Sequence, residues 1–175
     1  YDLACGNKKQ EGYIGIDINP VTKADIICDL KKIPWDFTKD NSVDELFSGH
    51  WIEHLQGEDF YNFFGECFRI LKFGGILRIV SPYYTSVRAS QDATHLTHIS
   101  ENTFVYLSKE WRVMNDLEYY NDIKCDFFVE KIDYRLDDEF MGKSQEAVIF
   151  AMKHYWNVAQ DIIVTLRKLK KEHKK

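Results

Sequence analysis

At 175 residues, 45% of them apolar, the chain is long enough for one domain with a real core, and it holds 28 acidic against 23 basic side chains for a net charge of −5. That balance argues against a broad nucleic-acid footprint, which needs a basic face, and no apolar run approaches the roughly eighteen residues of a membrane span. Six of the last nine residues are Lys or Arg, so the body without them is more acidic than the whole, and the tail reads as a solvated end.

The four cysteines (Cys5, Cys28, Cys67 and Cys125) have no CxxC spacing and no neighbouring histidine pattern. They read as buried residues of a reduced, cytoplasmic protein. No signal peptide opens the chain, which begins on Tyr1 in what looks like a clipped strand; a few further N-terminal residues are expected before it.

In chain order, the apolar stretch Leu3-Ala4-Cys5 runs into Gly6 and predicts a buried strand ending in a tight turn. Residues 13–18 predict a second strand that carries Asp17 at its tip. In open α/β sheets, ligands sit beyond the carboxyl ends of the strands. There Gly6 lets the backbone approach a ligand, and Asp17 can accept hydrogen bonds from two ribose hydroxyls. A dinucleotide site wants G-x-G-x-x-G opening a full helix, with its acid roughly 20 residues further on. Here one glycine is present, and residues 7–12 hold at most about one helical turn of 3.6 residues. The helix N-terminus that cradles a pyrophosphate is therefore short or absent. A ligand with ribose but no phosphate loses little by that, and S-adenosylmethionine is such a ligand.

Residues 24–30 predict a third strand with Asp29 at its end, where an acid also suits a turn or N-cap. Residues 31–41 predict a loop whose Trp35 and Phe37 pack back on the sheet. Residues 42–47 predict a fourth strand, which sets Ser48, Gly49 and His50 at its carboxyl end, in the crevice. Residues 50–55 predict a short helical segment with His50 and His54 on one face. The H-E-x-x-H order is absent, and no metal site is expected. Residues 58–72 predict an amphipathic helix with Phe60, Phe63, Phe64, Cys67, Phe68 and Leu71 inward, ended by Gly74-Gly75. Residues 76–80 predict a fifth strand, stopped by Ser81-Pro82. Strand, helix, strand favours a parallel sheet.

Residues 83–100 crowd polar chemistry into a loop at the catalytic edge, and loops on a rigid scaffold carry function. Tyr83, His95 and His98 are the catalytic candidates. His95 can serve as general base, because an unperturbed imidazole titrates near neutrality. The alternative is that His95 and His98 only tie the loop to the sheet. Ser100 predicts a cap for a helix over 101–109, and residues 111–121 read as irregular and aromatic. Strand 125–136, loop 137–142, helix 144–155 and strand 158–169 complete the chain.

Five motifs in this order resemble a class I S-adenosylmethionine-dependent methyltransferase, small, single-domain and type 11-like. They are Leu3-Ala4-Cys5-Gly6-Asn7, Gly15-Ile16-Asp17-Ile18, Cys28-Asp29-Leu30, Ser42-Val43-Asp44-Glu45 with His50-Trp51-Ile52-Glu53-His54-Leu55, and Arg69-Ile70-Leu71-Lys72-Phe73-Gly74-Gly75. Each alone is unspecific; the ordered set, over roughly residues 2–82, is not. Two positions depart from the pattern: Ala4 replaces a glycine and Phe73 the usual proline. The resemblance implies a three-layer α/β sandwich around a Rossmann-like, seven-stranded, mostly parallel sheet with an antiparallel C-terminal strand. It implies one domain over 1–175, with a cofactor half at about 1–82 and an acceptor loop and sheet edge at about 83–175.

By the same resemblance, S-adenosylmethionine, with S-adenosylhomocysteine as product, lies against Ala4, Cys5, Gly6, Asn7, Asp17, Ile18, Asp29, Leu30, Ser48 and His50. Asp29 accepts from the adenine amino group, while Glu53 and His54 tie the helical segment to the sheet edge. The expected activity is methyl transfer to an O, N or C nucleophile of a small-molecule acceptor. The alternative is a non-catalytic cofactor-binding or partner-scaffolding module on the same fold.

Overall fold

The computed structural model describes residues 1–120 and 123–169. Asn121 of the expected irregular segment and the lysine-rich end from Lys170 onward lie outside the described residues. The elements in chain order are β1 (Asp2–Leu3), β2 (Gly15–Asp17), β3 (Ile26–Ile27), β4 (Val43–Gly49), α1 (Gly57–Ile70), β5 (Leu71–Pro82), α2 (Glu101–Val105), α3 (Lys109–Met114), β6 (Phe127–Leu136), α4 (Gln145–His154) and β7 (Ala159–Lys168). Short 3-10 turns lie at Ile52–His54, Val87–Ala89 and Asp138–Phe140.

The strands form one sheet in the order β3-β2-β1-β4-β5-β7-β6. The first five run parallel to their neighbours, and β7 pairs antiparallel with both β5 and β6. This is the Rossmann-like α/β sheet the motifs imply. Along β4, β5 and β7 the residues alternate. Leu46, Leu77, Ile79, Val164 and Leu166 are fully buried in the core. The intervening Phe47, Arg78, Ile163 and Thr165 are partly or largely exposed. α1 contributes Phe60, Phe63, Phe64 and Cys67 to that core, as their three- and four-residue spacing predicts, and also Ile70, while the expected Phe68 is only partly buried and Leu71 is buried as the first residue of β5.

Several boundaries differ from expectation, each for a local reason. β1 stops at Leu3 because Ala4 takes φ +57°, which breaks the pleat, although the Cys5 amide still donates to Ile16 O at 3.0 Å. No helix lies between β1 and β2, as the short spacing predicts. β3 is two residues rather than seven. α1 ends at Ile70, since Leu71 is already extended at ψ 139°. Gly74 and Gly75 therefore do not stop the helix but form an irregularity inside β5. The register jumps there from Val43–Leu71 to Glu45–Ile76. Gly74 sits at φ +84°, and a Cβ on Gly75 would meet Lys72 O at 2.9 Å and Asp44 O at 3.0 Å. β5 then continues through Pro82 rather than ending at Val80.

The helix expected over 101–109 is two helices. Ser108 restarts the chain by accepting from the Trp111 amide at 3.3 Å, while Asp126 accepts from the Lys109 amide at 2.8 Å. Residues 111–114, read as irregular, are the end of α3. Buried Arg112 holds the pair together by donating to Tyr106 O (2.6 Å) and Cys125 O (3.3 Å).

The loop between β3 and β4 is pinned to α1 by Glu66. Its carboxylate accepts from the Trp35 amide at 2.8 Å and from Arg69 at 2.9 and 2.6 Å, and Arg69 also donates to Trp35 O at 2.9 Å. Glu66→Ala leaves the amide of fully packed Trp35 without an acceptor. The expected loss is about 1.5–3 kcal/mol of unfolding free energy, read by urea denaturation. A change below about 0.5 kcal/mol, the range of ordinary surface substitutions, would show that the contact carries no weight.

The four thiols are free. Burial pushes all of them up, Cys125 to about 12, so none is poised as a thiolate.

Candidate cofactor crevice and acceptor loop

The strand order reverses between β1 and β4, and a crevice opens beyond their carboxyl ends, as the rule for open α/β sheets requires. Its volume is about 350 Å³. Ala4, Asp17, Ile18, Asp29, Leu30 and His50 line it, together with Cys28, Lys31, Trp51 and His54. Six of the ten residues expected at the cofactor thus form its walls.

Asp17 is organised by backbone amides. One carboxylate oxygen accepts from the Gly6 amide at 2.8 Å, and the other from the Asn19 amide at 2.8 Å. Each oxygen keeps a further lone pair, enough to receive a pair of vicinal hydroxyls. Cys5, Gly6 and Asn7 form the turn behind this wall rather than the wall itself. Gly6 sits at φ +52°, with nothing within 4 Å of where a Cβ would stand, so the backbone is open to close approach. Gly15 is small for a different reason. A Cβ there would stand 2.8 Å from Cys5 Sγ and 2.6 Å from the Lys9 chain.

Asp29 is a turn acid that also lines the crevice; it accepts from the Lys31 amide at 3.1 Å. His50 takes φ +55°, with its amide donating to Val80 O at 2.8 Å. Ser48 lies elsewhere. It pairs with Leu3 and Ile79 in the sheet, is buried, and its hydroxyl has no hydrogen-bond partner. Trp51 was not singled out by its sequence position. Its indole N–H is buried and unpartnered at the crevice wall, a donor of the kind a bound ligand satisfies. The donor set fits a nucleoside bearing a ribose diol.

The loop over 83–100 folds back onto the Ile52–His54 turn. The Leu96 and Thr97 amides donate to Glu53 O at 2.8 and 3.1 Å. Farther along, Arg88 and Arg135 both meet the fully buried Asp161 carboxylate at 2.9 Å, which ties the loop to β7. The strap places the His95 ring 4.8 Å from the His54 ring at 75°. His95 Nδ1 lies 3.1 Å from Ala89 O, and His54 Nδ1 lies 3.2 Å from Thr94 O and 3.1 Å from Thr94 Oγ1. The Thr94 hydroxyl gives its own proton to Asp92 at 2.7 Å. That bond and the Thr94 amide hold the Asp92 carboxyl below its ordinary range. Carbonyl oxygens only accept, so these contacts select the tautomer with the proton on Nδ1, in which the lone pair lies on Nε2.

The other two catalytic candidates lie apart from this pair. His98 is exposed. Tyr83 is 4% exposed, and its hydroxyl donates to Glu101 at 2.9 Å. Tyr134 donates to the same oxygen. Burial, then Glu101, pushes both phenols well above their ordinary value, so both keep their protons. The sequence paired His50 with His54 and His95 with His98. The fold pairs His54 with His95, across 41 residues that no local spacing connects.

The comparisons agree with this architecture. A family described as "hypothetical methyltransferase" matches residues 1–115. Ribosomal RNA-processing protein 8 of Caenorhabditis elegans is 27% identical over 132 residues, which is 67% of this chain but 37% of that protein. The chain therefore spans little more than a third of that relative's length. A SAM-dependent methyltransferase from Archaeoglobus fulgidus superposes with a TM-score of 0.64 at 20% identity, over 95% of this chain and 84% of the other. A Haloferax volcanii complex containing the Trm112 methyltransferase activator includes a chain that superposes at 0.58 with 17% identity, over 98% and 82%. At those identities the two structures speak for the fold. With that fold, a ribose-compatible crevice at its switch point and two thirds of its length matched by the family, the chain belongs to the S-adenosylmethionine-dependent methyltransferases.

Proposed function

We propose that the protein transfers the methyl group of S-adenosylmethionine to a hydroxyl or amine of a small-molecule acceptor. The observation that carries this reading is the continuity of two sites. The crevice walled by Asp17 and Asp29 ends at His50, Trp51 and His54, and His54 packs against His95 on the loop over 83–100.

In this reading Asp17 accepts from the ribose hydroxyls while its bonds to Gly6 and Asn19 keep it in place. Asp29 and Leu30 face the adenine, and Gly6 allows the backbone close to the amino-acid portion. The cofactor supplies a methyl group already activated on a sulfonium. The protein's task is then to hold the acceptor nucleophile in line at about 3–3.5 Å. The bare Nε2 atoms of His54 and His95 stand on the acceptor side, where one can take the acceptor's proton. Tyr83 and His98 hold and flank the loop. Residues 1–82 would serve the cofactor and residues 83–175 the acceptor.

Charge supports a small acceptor. Asp17 and Asp29 line the crevice and the chain carries −5, both of which oppose a phosphate backbone. The free, unreactive thiols suit the cytoplasm. A second reading, an RNA acceptor, is favoured by the name of the Caenorhabditis elegans relative. The Haloferax volcanii complex favours a third, in which activity needs a partner chain.

Labelled S-adenosylmethionine offered to the full chain with a metabolite extract, and separately with total RNA, tests these readings. Label is expected in the small-molecule fraction, falling at least about 100-fold in His95→Ala. Label in RNA alone would establish the second reading. No transfer by a protein that binds S-adenosylhomocysteine would remove catalysis by the isolated chain.

A further inference from the structure

We propose that Glu53, His54 and His95 form a binding site for a divalent transition-metal ion at the acceptor end of the crevice. Among the described residues these three each offer one ligand atom, and the three atoms lie within 4.8 Å of one another.

Two further observations point to a ligand. The first is the Glu53 side chain, which is 2% exposed. One carboxylate oxygen accepts from the Ser81 hydroxyl at 3.0 Å, but Oε1 is buried and has no hydrogen bond. His50 Nδ1 stands 3.4 Å from it. A buried carboxylate oxygen without a donor is costly unless something cationic meets it.

The second is the direction of the two imidazoles. Both Nδ1 atoms face backbone carbonyls, Thr94 O and Ala89 O, so both Nε2 lone pairs are free. Metal-ligating histidines are held in this way, with the second ring nitrogen donating to a carbonyl or carboxylate. For His54 the support extends one step further, through the Thr94 hydroxyl to Asp92.

Two imidazoles and one carboxylate are the ligand set of zinc and of iron(II), manganese or cobalt in open sites, not of calcium or magnesium, which take oxygen ligands. Bonds of ~2.0–2.2 Å place tetrahedral ligand atoms ~3.4 Å apart. The most distant pair therefore needs to close by at most about 1.4 Å, a shift that the loop carrying both His95 and its Ala89 support can make as a unit. Three protein ligands leave a position open, and His54 itself lines the crevice. An acceptor hydroxyl or a pair of neighbouring oxygens would occupy that position, and the ion would lower its pKa.

This deepens the function proposed above and rests on it only for the ion's role. With the ion in place His95 and His54 are ligands, so the ion-bound acceptor would give its proton to solvent water before its oxygen takes the methyl group and the neutral S-adenosylhomocysteine leaves; this takes the place of proton transfer to an imidazole.

The test is metal binding by the full chain, stripped with chelator and measured without cofactor or acceptor. Calorimetry with Zn²⁺ and the visible absorption of Co²⁺ are the readouts. One site of micromolar affinity or better is expected, with Co²⁺ bands of a low-coordinate nitrogen and oxygen environment. His95→Ala and His54→Ala should each weaken it at least tenfold, and Glu53→Gln likewise, while His98→Ala changes nothing. His95→Ala removes a half-buried loop side chain and keeps the test valid if Glu53→Gln unfolds. Absence of a stoichiometric site, or a site unmoved by His95→Ala and His54→Ala, overturns the proposal. Preference for Mg²⁺ over Zn²⁺ overturns it too. Because no methyl transfer is measured, loss of this site and loss of the enzymatic reading are separate results.

Discussion

Asp17→Ala is expected to weaken S-adenosylhomocysteine binding by roughly 100-fold or more, in a chain that still folds. Hydrogen bonds to a charged group contribute about 1.5–3 kcal/mol each, and every 1.4 kcal/mol is about a factor of ten in affinity. The ribose offers two such bonds. The substitution also removes the acceptor for the Gly6 and Asn19 amides, so the turn that shapes the crevice loses its anchor. Both effects act in the same direction. Asp17→Asn keeps one oxygen acceptor and should fall between. Calorimetric titration gives the affinity, and thermal denaturation confirms the fold. Unchanged affinity in Asp17→Ala would place the ribose elsewhere and detach the cofactor from this crevice.

Lys168→Met is expected to cost about 3 kcal/mol of unfolding free energy, since each buried acceptor left unpaired costs about 1–3 kcal/mol. Lys168 is 3% exposed at the end of β7. Its ammonium donates to Leu71 O at 2.7 Å, to Asn41 Oδ1 at 2.8 Å and to Phe68 O. The Phe68 and Leu71 carbonyls are in the last turn of α1 and just beyond it, where a helix has orphan acceptors and a negative dipole end. The ammonium also stands 4.5 Å from the Phe68 ring centroid. Methionine keeps the apolar stem and deletes only the charge and the donors. Urea denaturation measures the loss. A change below about 0.5 kcal/mol would mean that water replaces the ammonium at no cost, as at an exposed surface site.

Much of the architecture was legible because its signals are local. The spacing of Phe60, Phe63, Phe64 and Cys67 identifies α1 and its buried face. The apolar runs over 42–47, 76–80, 125–136 and 158–169 identify β4 to β7 as elements, and the ten residues between Gly6 and Asp17 leave no room for a full helix as well as the second strand. Two of the misread boundaries share one cause. Gly74-Gly75 and Ser108 have more than one use, and the choice is made by neighbours distant in sequence. Gly75 is pressed by Asp44 O across the sheet, and the start of α3 is held by Asp126.

The site divides along the same line. Asp17, Gly6 and Asp29 are strand-end residues, and the order of strands places them together once the fold is recognised. The amino-acid sequence alone therefore determined the class of sheet, the missing first helix and the two strand-end acids, Asp17 and Asp29, that line the crevice. The tertiary structure decided which histidines meet. His54 and His95 come together because the Glu53 carbonyl captures the Leu96 and Thr97 amides, a pairing made by backbone atoms whose geometry no residue pattern encodes. It also decided that Tyr83 serves Glu101 from within the core, and that one oxygen of Glu53 is buried unpaired. Burial and long-range hydrogen bonding are properties of the packed chain, and they set which side chains meet beside the crevice.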